Sequence, residues 1–254
     1  QYCALFFVGC IAMSFLLQFA EHPDLKIKHL VKRSRCKYCF HQLQLTDLIP
    51  IVSFVLFSGR CRYCSKPIPK SLLIGELLGG TLLVYPTILP VYVSTEIFYA
   101  VGLMLLTIGV IDICSMIVQH RFLVLLFVLL LYFPHHLYVD LQHAILFLSL
   151  FFIGLIQNHL IGFGDIKLCL VMIFFFPMPF LFLFLEMIFP IGCLFYLLLR
   201  LLKSKMTHCV PLVPSIFVSF ILTTSFYPHL INFYGGILWP EYVIYQLMKN
   251  LKNV

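Results

Sequence analysis

The stretch Glu96–Val118, EIFYAVGLMLLTIGVIDICSMIV, decides the fold class of this chain. No charged residue lies between Glu96 and Asp112, which are sixteen positions apart. A helix of that separation is about 24 Å long at 1.5 Å per residue, and the hydrocarbon core of a bilayer is about 30 Å thick. The stretch therefore predicts a transmembrane helix with Asp112 near one of its ends.

The rest of the chain is also strongly apolar. Its 254 residues are 62% hydrophobic and only 11% charged, and the mean hydropathy is +1.04. An ordinary soluble domain has about 25% charged residues. Seventeen Lys and Arg with ten Asp and Glu are too few to cover a soluble protein of this size. Lipid is therefore the predicted solvent for most of the chain.

Apolar stretches of about 20 residues, the length that spans a bilayer, recur along the sequence. We predict about eight transmembrane helices, in an all-α polytopic membrane protein. We place the boundary between the sixth and seventh near Glu186, in an apolar run that three prolines interrupt. We expect the first span to be retained, because no basic leader precedes it. The approximate spans are 2–19, 71–90, 96–118, 121–138, 141–158, 166–184, 186–202 and 211–231.

The basic residues cluster in one hydrophilic loop. Ten of the seventeen Lys and Arg lie between Lys26 and Lys70, after the first predicted span. Loops rich in Lys and Arg stay on the cytoplasmic side, so we predict that this loop faces the cytoplasm. Alternation then also puts Arg121, the turn 162–167 and the basic residues Arg200, Lys203 and Lys205 inside. The net charge of +7 comes largely from this loop, and we expect membrane lipids rather than nucleic acid as partners.

Two aspartates need an explanation, because a charged aspartate at the centre of a transmembrane helix costs about 2.5 to 3.5 kcal/mol. Asp112 lies late in its predicted span, and Asp165 follows the glycines of Gly162-Phe163-Gly164-Asp165 at the start of another. We predict that both carboxylates lie at a similar depth near the cytoplasmic face. Two carboxylates that share a proton can activate water and polarise a scissile carbonyl, so one interpretation is a proteolytic dyad.

Other functions fit the same pattern. A buried aspartate can pair with a lysine or a backbone amide, or belong to the proton relay of a transporter. Gly162 and Gly164 would allow a sharp turn and a close approach to a substrate strand. Lys167 could bias the ionised aspartate or mark the inner interface. The other candidate acids in or beside the predicted spans are Glu76, Glu96, Asp140 and Glu186. Of these, Glu96, Asp140 and Glu186 are expected at helix ends or turns, where water or headgroups solvate them.

The hydrophilic loop contains two CxxC pairs. Cys36-Lys37-Tyr38-Cys39 and Cys61-Arg62-Tyr63-Cys64 are separated by 21 residues, a spacing close to that of zinc ribbons. Four thiolates from two such pairs form a closed tetrahedral site around Zn²⁺, so we predict a structural zinc bound by Cys36, Cys39, Cys61 and Cys64. Redox chemistry and the absence of a metal are the alternatives, and a cytoplasmic location argues against permanent disulfides.

The remaining cysteine and histidine patterns point to packing rather than to chemistry. The other six cysteines are scattered along predicted spans, where cysteine behaves as a small apolar residue. The pair His135-His136 falls at an outer helix end without a nearby cysteine or acid, so we expect it to pack at the interface. The six cysteines are Cys3, Cys10, Cys114, Cys169, Cys193 and Cys209.

The chain resembles the type IV prepilin peptidases in three features taken together. These are a four-cysteine loop after the first span, an aspartate late in the third span and a GxGD turn before the sixth span. This family comprises the GxGD aspartyl proteases of bacterial pilus, secretion and competence systems. Further matches follow in order along the chain. They are Arg33-Ser34-Arg35-Cys36, Asp47-Leu48-Ile49-Pro50, Gly59-Arg60-Cys61-Arg62-Tyr63-Cys64, Glu76 and, in degraded form, Val210-Pro211-Leu212-Val213-Pro214.

The resemblance implies an aspartic endopeptidase whose catalytic residues are Asp112 and Asp165. It would cut a short basic leader from prepilin or pseudopilin precursors, just before their hydrophobic helix at the cytoplasmic boundary of the bacterial cell membrane. The implied organisation is a first transmembrane helix (1–20), a cytoplasmic four-cysteine loop (21–70), a seven-helix membrane catalytic domain (71–232) and a C-terminal tail (233–254). Alternation puts the tail outside, or it forms an interfacial helix.

The chain also departs from the family pattern. Val118-Gln119-His120 stands where the family usually has an Ile-Pro pair, and Ser14-Phe15-Leu16-Leu17 lacks the usual Asn. With the compact length, these departures suggest the late-competence branch. Many members also N-methylate the new amino terminus with S-adenosylmethionine, which the resemblance implies here, although no glycine-rich nucleotide-binding pattern is present. The alternatives from other classes are a proton-coupled transporter and a non-catalytic scaffold for pilin assembly.

Overall fold

The computed structural model describes residues 2–21, 35–133, 137–156, 162–202 and 211–238. Within these ranges the regular structure is helical, with nine α-helices and one 3₁₀ turn at Leu45–Leu48, which confirms the all-α prediction. The helices are α1 (Tyr2–Glu21), α2 (Val52–Leu56), α3 (Lys70–Ile88), α4 (Thr95–Ser115), α5 (His120–Tyr132), α6 (Leu141–Ile156), α7 (Phe163–Ile173), α8 (Met178–Leu202) and α9 (Val213–Leu238).

Eight of these helices correspond one to one to the predicted spans. Five of them, α1, α3, α4, α8 and α9, are long and apolar enough to cross a membrane, and α5 and α6 are apolar but shorter. The chain is therefore a multi-pass membrane protein. Spans at α5, α6 and α7 stay predictions, because these helices have 13, 16 and 11 residues.

The predicted boundary at Glu186 is wrong. The chain breaks at residues 174–177, between α7 and α8, and Glu186 is an exposed residue within α8 rather than at a turn. Pro177 lacks an N–H and disfavours helical backbone at the residue before it. Pro179 lies in the first turn of α8, where a missing N–H breaks no helical hydrogen bond. Glu96 and Asp140, by contrast, lie at the ends where they were expected.

A buried histidine stabilises this break. His143 of α6 is 2% exposed, and its Nε2 lies 3.2 Å from the carbonyl oxygen of Phe176. Its ring stacks on that of Tyr138, whose backbone N–H donates to the carbonyl oxygen of Phe174 at 3.0 Å. Both contacts lie where the chain passes from α7 to α8, so residues around α6 fix the end of one helix and the start of the next.

The described residues form two compact units. The first comprises Gln1–Leu89 and Leu106–Met116, and the second Pro90–Leu105 and Ile117–Val254. The four-cysteine loop belongs to the first unit, as does Asp112. Asp165 belongs to the second.

In the first unit, α1 and α3 pack through glycines. A Cβ added to Gly79 would lie 2.6 Å from the Cβ of Met13, and one added to Gly9 would meet the carbonyl oxygen of Gly79. Gly75 and Gly80 likewise face side chains of α1. Because lipid is as apolar as the helices, helices associate in it through close packing, which small residues permit. The two helices are thus in contact nearly backbone to backbone.

In the second unit, α8 and α9 share an aromatic core. Ring centroids of neighbouring phenylalanines lie 4.8 to 6.4 Å apart, within the range of favourable ring pairs. The buried Ser219 hydroxyl donates to the carbonyl oxygen of Phe184 at 2.6 Å and links the two helices. The phenylalanines of this core are Phe98, Phe176, Phe180, Phe184 and Phe220.

The close contact of α1 with α3 predicts the effect of one methyl group. Alanine is favoured over glycine in a helix by about 1 kcal/mol, but overpacking costs about 1 to 3 kcal/mol. Gly79→Ala should therefore lower the unfolding midpoint of the detergent-purified protein. Gly192→Ala in α8 is the matched control, since its Cβ would meet side-chain atoms only at 3.7 and 3.8 Å. An equal or raised midpoint for Gly79→Ala would contradict the packing.

Candidate functional site

The four-cysteine loop folds into two knuckles with the same backbone design. In the first, the Cys36 N–H donates to the His41 carbonyl at 3.0 Å and the Phe40 N–H returns to the Cys36 carbonyl at 2.9 Å. In the second, the Cys61 N–H donates to the Lys66 carbonyl and the Ser65 N–H to the Cys61 carbonyl, both at 2.9 Å. Each knuckle thus closes on itself by the same two hydrogen bonds.

The residue after each CxxC has a left-handed backbone. Phe40 has φ 57° and Ser65 has φ 56°. Residues other than glycine and asparagine rarely adopt this backbone conformation. Each turn returns the chain to an isolated bridge, Arg35 with Gln42 and Arg60 with Pro67. The backbone reversal gathers the two thiols of each CxxC on one side of the knuckle.

The four sulfur atoms converge. Those of Cys36, Cys39, Cys61 and Cys64 all lie within 4.8 Å of one another, which makes this the one group of three or more potential metal ligands among the described residues. The Cys36 and Cys64 sulfurs are 3.8 Å apart. Tetrahedral zinc with Zn–S bonds of about 2.3 Å separates its sulfurs by about 3.8 Å. The donor set therefore fits a closed Cys₄ metal site.

The thiols of this cluster differ in acidity. Burial opposes ionisation of Cys36, but the backbone N–H groups of Cys39 and Tyr38 stabilise its thiolate and lower its pKa to about 6. The N–H of Lys66 favours the Cys64 thiolate, but burial and hydrogen bonding with the other three thiols raise the pKa of Cys64 to about 11. Because metals bind thiolates, metal binding at this cluster is coupled to proton release.

Two reciprocal ring contacts join the knuckles. The His41 ring lies on the Tyr63 ring with centroids 3.7 Å apart, and the Lys66 ammonium lies 4.8 Å above the Tyr38 ring. His41 and Lys66 occupy the fifth position after the first cysteine of their knuckles, and the two tyrosines occupy the second. Each knuckle therefore presents a tyrosine to the cationic or aromatic residue of the other.

A carboxylate of α3 attaches the loop to its helix. Glu76 is 5% exposed, and its Oε2 accepts a hydrogen bond from the Ile51 N–H at 2.9 Å. Ile51 has φ 63°, so this amide belongs to a strained turn just before α2. The sequence marked Glu76 as an acid within a predicted span. The sequence did not indicate that Glu76 accepts a hydrogen bond from the backbone N–H of Ile51.

Asp112 lies near the end of α4, as predicted. It is 5% exposed, and its carbonyl oxygen accepts the N–H of Met116 at 2.8 Å. Met116 has φ 54°, a left-handed conformation that commonly ends helices. The helix therefore stops one turn beyond the aspartate.

Asp165 lies in the first turn of α7, three residues after the N-cap Gly162. Its N–H donates to the Gly162 carbonyl at 3.0 Å, and a Cβ on Gly162 would lie 2.9 Å from its Oδ2. The carboxylate is therefore folded back over the helix N-terminus, where the helix dipole favours negative charge. Gly162 leaves the space that this side chain occupies.

The second glycine of the motif has a different function. A Cβ on Gly164 would lie 2.7 Å from the Cβ of Val118 in the segment between α4 and α5. Gly164 therefore permits that segment to pack against α7. Lys167 extends its ammonium over the Phe163 ring, 4.6 Å from the centroid, so its charge contacts an aromatic face of the same turn.

The predicted site residues divide into three groups. The four metal-ligand candidates are brought together. Asp112 and Asp165 belong to different units, and their pairing stays a prediction. The pair His135-His136, Cys209 and the predicted tail beyond residue 238 lie outside the described residues.

Comparison with known proteins gives one family model and several relatives. The model described as "Bacterial Peptidase A24 N-terminal domain" matches residues 7–107, which include the four cysteines and Glu76. The chain is 31% identical to the "Prepilin leader peptidase/N-methyltransferase" of Bacillus subtilis over 47% of this chain and 49% of that protein. A protein of the same name from Vibrio cholerae is 28% identical over 75% of this chain and 79% of its own length.

Coverage differs among these relatives. The match spans about half of the Bacillus protein (49%) and 17% of a relative of the same name from Burkholderia pseudomallei, which is 38% identical over 52 residues. No solved structure matches the chain. The family model ends before Asp112, so it bears on the loop and not on the aspartates.

The converging sulfurs predict about one zinc ion per purified chain. Cys36→Ser and Cys61→Ser should each lose it, because a closed site needs all four thiolates. Elemental analysis of protein purified without chelators measures the stoichiometry. Cys193→Ser, which alters an exposed thiol of α8, should retain the metal. Equal zinc content in Cys36→Ser and the unaltered chain would rule out this site.

The contact of Gly164 with Val118 predicts a non-additive pair of substitutions. Gly164→Ala should destabilise the protein by about 1 to 3 kcal/mol through overpacking. In a Val118→Gly background the added methyl has room, so the same change should be neutral or stabilising. Unfolding of the four proteins in detergent completes the double-mutant cycle. Equal effects of Gly164→Ala in both backgrounds would show that the two residues do not contact each other.

Proposed function

We propose that this chain belongs to the type IV prepilin peptidase family and is an intramembrane aspartyl endopeptidase. It removes the leader peptide of type IV prepilins or pseudopilins at the cytoplasmic membrane boundary. The observation that carries the proposal is the similarity to the Vibrio cholerae prepilin leader peptidase/N-methyltransferase, which extends over 75% of this chain and 79% of that protein.

We assign the chemistry to Asp112 and Asp165. In an aspartic protease the ionised carboxylate takes a proton from water as the water oxygen bonds to the scissile carbonyl carbon, while the protonated carboxyl gives its proton to the carbonyl oxygen. Collapse of the tetrahedral intermediate breaks the C–N bond, and the leaving nitrogen receives a proton from a carboxyl. The products are a leader carboxylate and a new amino terminus.

The local environments of the two residues support this assignment. A carboxylate that is 5% exposed in a transmembrane helix, as Asp112 is, is costly unless it is paired or functional. Asp165 is folded over a helix N-terminus in space that Gly162 provides. Val118 packs on Gly164 and follows Asp112 by six residues, so the segment after one aspartate contacts the glycine turn that precedes the other.

The four-cysteine cluster has a structural function in this proposal. Zinc bound by Cys36, Cys39, Cys61 and Cys64 would have four protein ligands and no open position, so it would hold the loop's fold and take no part in hydrolysis. N-methylation of the new amino terminus is the second activity in the relatives' names. The described residues assign no site to S-adenosylmethionine, so this activity rests on those names alone.

The proposal also fixes the orientation. Nine of the seventeen basic residues lie in the loop between α1 and α3, and a tenth, Lys70, begins α3. The positive-inside rule puts such a loop in the cytoplasm. The protein is then a multi-pass protein of the bacterial cell membrane with both aspartates toward the cytoplasm. Its partners are prepilin-like precursors and membrane lipids.

The assigned dyad predicts that Asp112→Asn and Asp165→Asn each reduce leader cleavage at least about 100-fold, because an amide can neither accept the water proton nor supply one. Incubation of purified enzyme with a candidate prepilin, followed by mass spectrometry of the amino terminus, measures cleavage and methylation together. Asp140→Asn is the control, because that side chain is 76% exposed and has no assigned function.

Each variant should still insert in the membrane and retain its metal, which separates lost chemistry from lost folding. Near-normal cleavage by either aspartate variant would exclude the dyad. Substrate flux in proteoliposomes that depends on either aspartate, with intact prepilin processing, would instead favour a proton-coupled transporter.

A further inference from the structure

The segment Leu48–Phe57 is exposed and strongly apolar although it lies within the hydrophilic loop. Helix α2 buries none of its residues. Val55 is 67% exposed and Leu56 is 70% exposed. Three further side chains, Leu48, Ile49 and Val52, are 36 to 42% exposed. Water solvates such an apolar cluster poorly. Whether lipid covers these side chains depends on how deep the segment lies relative to the membrane.

The hydrogen bond from Ile51 to Glu76 fixes that depth. Helix α3 begins at Lys70 and is one of the five candidate spans. Glu76 is six residues farther along, about 9 Å at 1.5 Å per residue. Helical side chains tilt toward the N-terminus, so the Ile51 amide, 2.9 Å from the carboxylate, lies beside the first two turns of the span. For a helix that spans the bilayer from its first residue, that level corresponds to the boundary between headgroups and hydrocarbon.

The segment is also held firmly against the second knuckle. The Gly59 N–H donates to the Phe54 carbonyl at 2.7 Å, and the Ile68 N–H donates to the Gly59 carbonyl at 2.8 Å. Gly59 has φ 68°, and a Cβ there would lie 2.7 Å from the Phe54 ring. Phe54 thus packs inward on Gly59, while Val55 and Leu56 face outward.

The surroundings of the segment are basic. Arg60, Arg62, Lys66 and Lys70 are exposed, and the Arg62 guanidinium lies 5.8 Å from the Phe57 ring centroid. Asp47 is the only acid between residues 35 and 69, and its Oδ2 already accepts from the Gln44 N–H and the Tyr63 hydroxyl. Exposed apolar side chains beside exposed cations are the composition of interfacial elements that bind anionic lipid.

We propose that Leu48–Phe57 is an interfacial membrane anchor, which inserts Val55 and Leu56 among the upper acyl chains while Arg60 and Arg62 bind anionic phospholipid headgroups. The anchor would hold the four-cysteine loop flat against the bilayer. It does not depend on the proposed peptidase activity, because it rests on the Ile51–Glu76 hydrogen bond, the exposed side chains and the charge.

Tryptophan quenching by brominated lipid tests the proposal on the full chain. The sequence has a single tryptophan, Trp239. Trp239→Phe therefore removes the native tryptophan fluorescence, and Val55→Trp or Leu56→Trp is introduced into that variant. The control is Phe40→Trp, which puts an indole at a 72% exposed aromatic position of the first knuckle. The proteins are reconstituted in phosphatidylcholine and phosphatidylglycerol vesicles, and retained metal shows that the loop is folded. Leu56→Trp supplies a second site if Val55→Trp fails this check.

We expect blue-shifted emission from both anchor tryptophans and strong quenching by bromines near the headgroup, with less quenching by bromines deep in the acyl chain. The Phe40→Trp protein should be quenched little. Brominated phosphatidylglycerol should quench more than brominated phosphatidylcholine at equal content, and Arg60→Gln with Arg62→Gln should remove that difference.

Two results would overturn the proposal. Anchor tryptophans that emit as in water and are quenched no more than Phe40→Trp would show that the segment is not in lipid. The second result is emission that bromolipid leaves unchanged while a prepilin-type peptide shifts it to the blue. That result would show that the surface binds the precursor instead of lipid.

Discussion

In hydrocarbon, every backbone N–H and C=O must find its partner within the protein, and the rest of this structure depends on that constraint. Helices meet it along the long apolar stretches of the described residues. The constraint is hardest to meet where helices begin and end. Two buried polar side chains contact backbone groups at such positions. Glu76 accepts a hydrogen bond from the N–H in the turn before α2, and His143 contacts the carbonyl of Phe176 between α7 and α8.

Much of the fold follows from composition and periodicity, because a 20-residue apolar stretch has few alternatives to a membrane helix. The predicted ranges agree with α1, α3 and α4 to within a few residues, and Asp112 falls late in its helix. The error at Glu186 has a physical cause. Three prolines interrupt the apolar run in which the boundary was predicted, and the sequence did not show which of them marks a turn. In the structure α7 ends at Ile173, shortly before Pro177.

The candidate site was predictable in its chemistry and less so in its geometry. The cysteine spacing implied four converging sulfurs, because a CxxC knuckle has few conformations. The glycines were predicted as sharp turns that admit a substrate. In the structure Gly162 leaves space for the Asp165 carboxylate and Gly164 for Val118. Which neighbour fills the space above a glycine depends on tertiary packing, and no local pattern encodes it. The same holds for the reciprocal tyrosine contacts between the knuckles.

The two knuckles are built almost entirely from contacts local in sequence. The first begins at Cys36 and the second is closed by the carbonyl of Lys66, so a nascent chain has all four thiols before the helices that contain Asp112 and Asp165 are made. Domains fold during synthesis from the N-terminus, and local contacts form fastest. The loop can therefore fold, and bind a metal at the four thiols, while ribosomes are still producing the later spans. Metal binding at this site would then be an early step of biogenesis, and metal starvation would affect newly made protein before it affects mature protein.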